Sequence, residues 1–172
     1  MSIIGASAPV RRRFVTARRA VPPFVPLLNP LMAIMIRLGI DLGPKMALIT
    51  VHGRKTGRAH TTPITLFEHG SRRFVFGTFG DTSWVRNARS AGKLILTRGR
   101  RSETVSVVEI EPQDAAPILT ACLSKYLDNP TMAPMLRRFY GVARGASAAD
   151  FARVAREHPA FELVALEAGD ER

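Results

Sequence analysis

The sequence has 172 residues, the length of about one domain, and its 46% hydrophobic and 23% charged residues exclude a disordered or fibrous chain. A single cysteine, Cys122, excludes an internal disulfide, and no CxxC pair or spaced set of histidines predicts a metal site. The net charge of +11 is uneven, because residues 1–101 contain 18 basic and three acidic residues whereas residues 102–172 contain seven and eleven. This asymmetry indicates an anionic partner: a nucleic acid, a membrane or a small molecule. One tryptophan, two tyrosines and no helix-turn-helix or RNP signature argue against nucleic acid.

The N-terminal segment places five arginines between residues 11 and 19 before an uncharged run from Ala20 to Ile36. Its four prolines, and the lack of a cleavage pattern, argue against an export signal or a spanning helix. Asn29 and Pro30 instead predict the start of a helix over Leu31–Leu38. This helix either packs on the domain or anchors residues 10–38 at an anionic membrane surface.

The body of the chain changes to the period of two that is typical of strands. Helical patterns separate some of these runs, and turn residues separate others, so that the strands follow mainly as hairpins. The pattern predicts an α+β fold with a mostly antiparallel, six-stranded sheet that can close into a small barrel with flanking helices. No GxGxxG or P-loop motif indicates a nucleotide fold. The six predicted strands are Met46–His52, Pro63–His69, Arg72–Phe79, Lys93–Arg98, Ser102–Glu111 and Phe161–Glu167. The predicted helices in this part of the chain are a short one that is capped by Asp81 or Thr82 and ends at Gly92, followed by Pro112–Leu127, Asn129–Tyr140 and Ser147–His158.

The segment from Gly53 to Pro63 lies between two predicted strands and combines basic side chains, glycines and threonine hydroxyls. Glycines allow backbone N–H groups to converge on an anion, and basic side chains add charge-assisted hydrogen bonds. The composition fits an anion site, and it also fits a solvated basic hairpin.

The order of residues in this segment resembles the deazaflavin-dependent nitroreductase and quinone reductase family, a group of actinobacterial split-barrel proteins. The resemblance is carried by Gly-Arg-Lys-Thr-Gly at residues 53–57, by Thr-Thr-Pro-Ile at 61–64, and by Trp-Val-Arg-Asn at 84–87. His60 departs from the pattern, since the family usually has a second arginine there. Membership implies a split β-barrel and the reduced 8-hydroxy-5-deazaflavin coenzyme F-420, with FMN as the alternative cofactor of related split barrels.

The resemblance also implies roles for individual residues. The basic segment would hold the phosphate and oligoglutamate tail of the coenzyme, and two later segments would lie along its ring system. Trp84 either fills the core or lines the pocket, Asn87 more naturally ties its helix to a loop, and Arg86 and Arg89 either extend the anion groove or are solvated. The implied cofactor-binding residues are Arg54, Lys55, Thr56, Gly57, Arg58, His60, Thr61, Thr62, Pro63, Gly77, Thr78, Phe79, Trp84 and Asn87; the candidate proton donors are Thr78, Tyr126 and Tyr140.

The resulting prediction is an oxidoreductase that transfers a hydride from reduced coenzyme F-420 to a quinone, a nitroaromatic or another activated conjugated acceptor. Two alternatives stay open: an FMN-dependent enzyme, and a protein that binds a deazaflavin or tetrapyrrole without turnover. The predicted organisation is a basic, proline-rich arm over residues 1–28, one domain over residues 29–168 and a tail over residues 169–172. The predicted location is cytoplasmic, with peripheral contact at the inner face of the membrane, and a homodimer is a further expectation.

Overall fold

A computed structural model describes residues 21–22, 24–40 and 45–166, so the arginines of the N-terminal arm and the tail lie outside the described residues. The described part contains seven strands and five α-helices, in an α+β arrangement. A short 3-10 turn, Ser124–Tyr126, extends the third helix. The elements in chain order are α1 Phe24–Arg37, β1 Met46–His52, β2 Ala59–Thr65, β3 Phe67–His69, β4 Arg72–Phe76, α2 Ser83–Ala91, β5 Lys93–Arg98, β6 Arg101–Ile110, α3 Pro112–Leu123, α4 Met132–Tyr140, α5 Ala148–Glu157 and β7 Ala160–Ala165.

The seven strands form one antiparallel sheet in the order β2-β1-β5-β6-β7-β4-β3. The two edge strands, β2 and β3, are neighbours in the chain and are separated only by Leu66. One residue spans about 3.5 Å, whereas a flat sheet would hold its edges more than five times that distance apart. The sheet must therefore curl until its edges approach each other, which makes it an antiparallel half-barrel.

The prediction of six strands was wrong by one, because the run Pro63–His69 belongs to two strands. β2 starts earlier, at Ala59, and its pairing with β1 ends at Thr65. Leu66 then donates its N–H to the carbonyl of Lys45 at 3.0 Å, and β3 pairs with β4 on the opposite edge. The period of two runs through both strands, so the sequence pattern cannot show where the chain changes partners.

Two hydrophobic clusters lie on opposite faces of the sheet, and strand β4 contributes to both. Val75 belongs to the cluster inside the barrel, whereas Phe74 and Phe76 belong to the cluster under the helices, as alternation along a strand requires. The helical cluster is completed from α3, α4 and α5, and it includes Tyr140. The helices therefore hold their buried residues against the same face as the end of β4.

Helix α1 starts at Phe24, so the prediction that Asn29 caps a helix beginning at residue 31 was wrong. Pro30 lies inside the helix, where a proline ordinarily costs about 3 kcal/mol. Packing of the helix onto β1, β2 and β5 outweighs the local signal, and Ile36 is buried on that side. Large apolar side chains of the helix and of the residue after it are exposed, with Leu31 and Ile34 each at 56% and Leu38 at 70%.

The start of α5 and the end of α2 follow their sequence signals. Ser147 and Asp150 form the reciprocal hydrogen bonds of a capping box at the start of α5, as predicted. Gly92 ends α2 in the left-handed conformation, with φ of +68°. None of the described helices is long and apolar enough to cross a bilayer.

Candidate functional site

An open cavity of about 320 Å³ lies where the edge strand β2 approaches the end of β4, and we call it the β2 cavity. Its size falls at the lower end of ordinary small-molecule sites. Its walls come from α1, from β1 to β4, from the turn after β4, from the start of α2 and from the end of α4. The lining residues are Val21, Val25, Asn29, Met46, Thr62, Pro63, Ile64, Thr65, Phe67, Phe76, Thr78, Phe79, Thr82, Ser83, Trp84 and Tyr140.

The basic loop, residues 53–58, joins β1 to β2 at the end of the strand that lines the cavity. Its backbone closes on itself, because Gly57 donates to the carbonyl of Gly53, and Gly53 to that of Arg58, both at 2.8 Å. Gly57 has φ of +67°, which favours glycine. At Gly53 an added Cβ would lie 3.0 Å from His60 Nε2 and from Thr56 Oγ1. Both glycines are therefore required by the shape of the loop.

Positive charge on this loop is not neutralised within the described part of the chain. Arg54, Lys55 and Arg58 are exposed, and no described carboxylate forms an ion pair with them. Many basic side chains elsewhere are paired, so the loop differs from its surroundings in charge. The paired residues of the sheet and α2 are Lys45 and Arg98 with Glu68, Arg72 with Glu162, Arg73 with Glu103, Arg86 with Asp81, and Arg89 with Asp81 and Glu109.

Asn87 connects the basic loop to helix α2. Its Oδ1 accepts hydrogen bonds from the backbone N–H of Arg54 at 3.3 Å and from Nη1 of the same arginine at 3.2 Å. The side chain is only 5% exposed. Trp84, one turn earlier on α2, lines the cavity. The helix therefore holds the loop and the cavity in a fixed relation.

Trp84 lies between the cavity and the barrel core. It lines the β2 cavity, and its ring also packs against Phe161 of the barrel core at a centroid distance of 5.8 Å. Arg86 and Arg89 are both paired with acidic residues. Arg86 Nη1 donates to the carbonyl of Asp81 at 2.6 Å, and Arg89 bridges Asp81 to Glu109, so both arginines brace the start of α2.

The β2 strand presents polar groups at its start and a proline in its centre. Thr61 shares a hydrogen bond with Thr50 of β1 at 2.8 Å, while Thr62 and Pro63 line the cavity. Pro63 is tolerated because β2 is an edge strand with β1 as its only partner in the described sheet. The open edge of β2 therefore faces the cavity.

The turn after β4 brings Thr78 and Phe79 to the cavity wall. Gly77 has no room for a side chain, because a Cβ would lie 3.0 Å from the carbonyl oxygen of Gly80 and 3.1 Å from Pro159 Cδ. Its N–H donates to the carbonyl of Pro159 at 2.7 Å. The turn is thus fixed against the chain segment that precedes β7.

Thr78 meets Tyr140, which lies 62 residues further along the chain. Their hydroxyl oxygens are 2.9 Å apart and share a hydrogen bond at the cavity wall. Burial raises the pKa of Tyr140 to about 12, although the hydrogen bond to Thr78 opposes this shift. The phenol therefore stays protonated at neutral pH and can donate a hydrogen bond.

Tyr126 lies apart from this pair. Its ring packs edge-on against Phe67 at a centroid distance of 6.3 Å, with Lys125 over it, and it is not among the described residues that line the cavity. Of the three candidate proton donors, the structure brings Thr78 and Tyr140 together and leaves Tyr126 outside.

The sequence interpretation missed the contribution of α1 to the site. Val25 and Asn29 of α1, with Met46 of β1, contribute to the wall of the cavity. The uncharged run indicated a helix, but its contact with the cavity depends on tertiary packing that no local pattern reveals. Phe67, which also lines the cavity, was likewise interpreted only as a strand residue.

Comparison with protein families gives one match: the model of the family described as F420H(2)-dependent quinone reductase matches residues 35–127, more than half of the chain. The matched range contains the basic loop, β2, the turn after β4 and α2. Comparison with curated proteins gives no match.

Several solved structures resemble the chain at low identity. An F420-H2 dependent reductase (FDR-A) has 15% identity and a TM-score of 0.45, over 69% of this chain and 92% of its own. A conserved hypothetical protein from Mycobacterium tuberculosis has 10% identity and a TM-score of 0.49, over 88% and 84%. A FAD-binding protein from Mesorhizobium loti has 10% identity and a TM-score of 0.45, over 80% and 89%. The assignment to a family therefore depends on the sequence model.

Proposed function

The chain belongs to the F420H(2)-dependent quinone reductase family and is an F420-dependent oxidoreductase, and we propose that it reduces a quinone, a nitroaromatic or another activated conjugated acceptor in the β2 cavity. One observation carries the proposal: α2 joins an unneutralised basic loop, through Asn87, to a cavity that Trp84 lines. A polyanionic coenzyme tail and a flat ring system need these two environments side by side.

The residues present fit the coenzyme. Lys55 and Arg58 offer charge without a described acidic partner, and Arg54 is fixed toward α2 by Asn87. Such cations suit the phosphate and the oligoglutamate tail, and Thr56 and His60 add donors beside them. The strand from Thr61 to Pro63 offers an edge for the ring, and Thr62 and Pro63 line the cavity. Of the later segment, Thr78 and Phe79 line the cavity, whereas Gly77 lies against Gly80 and Pro159 and is not among the described lining residues. This assignment extends the sequence expectation and is supported by the position of the cavity.

Hydride donation from the reduced deazaflavin is the chemistry that the coenzyme supplies when bound. The protein has to hold the acceptor in line, and a fixed separation of about 3–3.5 Å between reacting atoms removes several kcal/mol of the barrier. Thr78 and Tyr140 can hold an acceptor oxygen by hydrogen bonds from the cavity wall. Tyr140 remains protonated at neutral pH, because burial raises its pKa to about 12. The pair therefore serves as a hydrogen-bond donor, with the proton of the reduced acceptor drawn from solvent or from this pair.

Steady-state oxidation of reduced coenzyme F-420 with menadione, and in parallel with a nitroaromatic, tests the reaction. We expect turnover with at least one acceptor, and a Tyr140→Phe variant should lose turnover more than coenzyme affinity. Saturable coenzyme binding without turnover on either acceptor would instead favour a non-catalytic carrier. Binding of FMN in preference to F-420 would favour the alternative cofactor.

A membrane-dissolved quinone would suit the exposed apolar side of α1. Leu31 and Ile34 of α1 are exposed, as is Leu38 directly after it, and Val25 of the same helix lines the cavity. We propose peripheral contact of residues 10–38 with anionic lipid at the cytoplasmic face. Vesicles containing phosphatidylglycerol should retain the protein in sedimentation, and a triple serine variant of these three exposed residues should release it. Equal sedimentation of both proteins would contradict the contact.

The expected homodimer also stays a proposal. Light scattering over a range of protein concentrations measures the molar mass directly, and a mass near 18.9 kDa at every concentration would contradict it.

A further inference from the structure

We propose that His158 is a positioning residue, whose imidazole N–H fixes the turn that carries Thr78 and whose ring supports Tyr140. The proposal rests on the proposed function, because it concerns the hydroxyl pair assigned to the acceptor. His158 itself is not among the residues that line the β2 cavity.

His158 lies directly after α5 and is completely buried, at 0% exposure. Its backbone N–H closes the helix by bonding to the carbonyl of Val154 at 2.9 Å. Its side-chain Nδ1 lies 3.0 Å from the carbonyl oxygen of Gly77. Since a carbonyl oxygen only accepts, Nδ1 carries the proton and donates it to Gly77. A buried polar ring with a specific partner indicates more than filling of space.

Gly77 is held from both sides by two consecutive residues. His158 donates to its carbonyl, and the carbonyl of Pro159 accepts its N–H at 2.7 Å. The same Gly77 carbonyl also accepts the N–H of Gly80 at 2.8 Å, which closes the turn around Thr78. The junction between α5 and β7 therefore sets where Thr78 points.

The imidazole also supports the second hydroxyl of the pair. Its ring lies against the ring of Tyr140, with centroids 4.7 Å apart and an interplanar angle of 40°. Tyr140 and Thr78 share their hydrogen bond at 2.9 Å on the cavity side. One side chain thus contacts the backbone that orients Thr78 and the ring that carries the Tyr140 hydroxyl. A buried support of this kind keeps a hydrogen-bonding pair in place before the acceptor arrives.

Two substitutions separate the hydrogen bond from the packing of the ring. His158→Asn keeps an N–H donor near the position of Nδ1 and removes the ring, whereas His158→Phe keeps a ring and removes the donor. If His158→Phe does not fold, His158→Gln replaces it, because its amide lies one bond further out and cannot reproduce the Nδ1 contact.

The first measurement compares kcat with menadione, KM for menadione and Kd for coenzyme F-420 in these variants. We expect His158→Phe to lose about 10- to 100-fold in kcat/KM, the loss that a small misplacement of a reacting group produces, with Kd for the coenzyme within about twofold of the parent. His158→Asn should recover most of the loss. Parent-like kcat/KM in His158→Phe, or a parallel loss of coenzyme affinity in that variant, would overturn the positioning role.

The second measurement needs no turnover. Amide hydrogen exchange of the protein alone should show faster exchange in a peptide covering residues 77–82 in His158→Phe, and parent-like exchange there in His158→Asn. If the parent shows no turnover, but exchange in residues 77–82 is protected in His158→Asn and not in His158→Phe, the proposed function is refuted and the positioning role stands. Exchange in residues 77–82 that is the same in both variants would refute the positioning role.

Discussion

Replacing Asn87 by alanine should weaken coenzyme binding, although we expect Asn87 itself to make no contact with the coenzyme. The Asn87 side chain is 5% exposed, and its Oδ1 accepts from the backbone N–H and from Nη1 of Arg54 at 3.3 and 3.2 Å. Removing this acceptor should lower the free energy of unfolding by about 1–2 kcal/mol, because the backbone donor is partly buried while the guanidinium regains water. The released arginine must then be ordered on binding, at about 1–2 kcal/mol. Coenzyme affinity should fall about 5- to 30-fold.

The assay is a fluorescence titration of coenzyme F-420 against the parent, Asn87→Ala, Arg54→Ala and the double variant. If Asn87 acts through Arg54, the double variant binds no more weakly than Arg54→Ala alone. Asn129→Ala is a control, because Asn129 Oδ1 likewise accepts two hydrogen bonds, here from the backbone N–H groups of Thr131 and Met132, each at 3.0 Å. The control should lose stability and keep its affinity for the coenzyme.

Additive losses in the double variant would refute this reasoning, since they would mean that Asn87 contacts the coenzyme independently. An equal loss of affinity in Asn129→Ala would refute it differently, by attributing the effect to general destabilisation.

Three further predictions concern the turn, the buried phenol and the loop. Gly77→Ala should lower the free energy of unfolding by about 1–3 kcal/mol in urea denaturation and reduce turnover, because its Cβ would meet backbone at 3.0 Å. Burial raises the pKa of Tyr140 to about 12, so on raising the pH the phenol ionises first in the unfolded chain. The free energy of unfolding should therefore fall by about 2–3 kcal/mol as the pH rises from 10 to 12, with the full contribution present below pH 10. Tyr140→Phe should abolish this fall in pH-dependent unfolding. The double variant Lys55→Ala/Arg58→Ala should bind coenzyme more weakly at low salt and approach the parent at high salt in titrations. Each prediction has a matched control that should not show the change. Gly70→Ala is the control for turnover, Tyr126→Phe for pH-dependent unfolding, and Arg100→Ala/Arg101→Ala for salt-dependent binding.

Local signals predicted those parts of the fold that depend on neighbouring residues. The turns near Gly57, Gly70 and Gly99 were found from glycines that adopt positive φ, and the Ser147 cap from its partner three residues on. The seventh strand was missed, because the change of partner at Leu66 leaves the alternation of side chains intact.

Sequence motifs predicted some parts of the candidate site, whereas the parts formed by segments distant in the chain could not be predicted. The basic loop and Trp84 were found from their sequence motifs, and the family is confirmed. The Thr78–Tyr140 contact joins residues 62 apart, and the wall formed by α1 follows from packing that overrides the proline signal. Both features required coordinates, because no local pattern specifies which helix covers which edge.

Titration of the purified protein with reduced and oxidised coenzyme F-420, FMN and haem measures whether this chain binds the coenzyme of its family. We expect saturable binding of F-420 at micromolar concentrations, weaker or absent binding of FMN and haem, and a larger loss of F-420 affinity at low salt than at high salt in an Arg54→Ala/Lys55→Ala variant. No saturable binding of either form of F-420, or tighter binding of FMN, would contradict it.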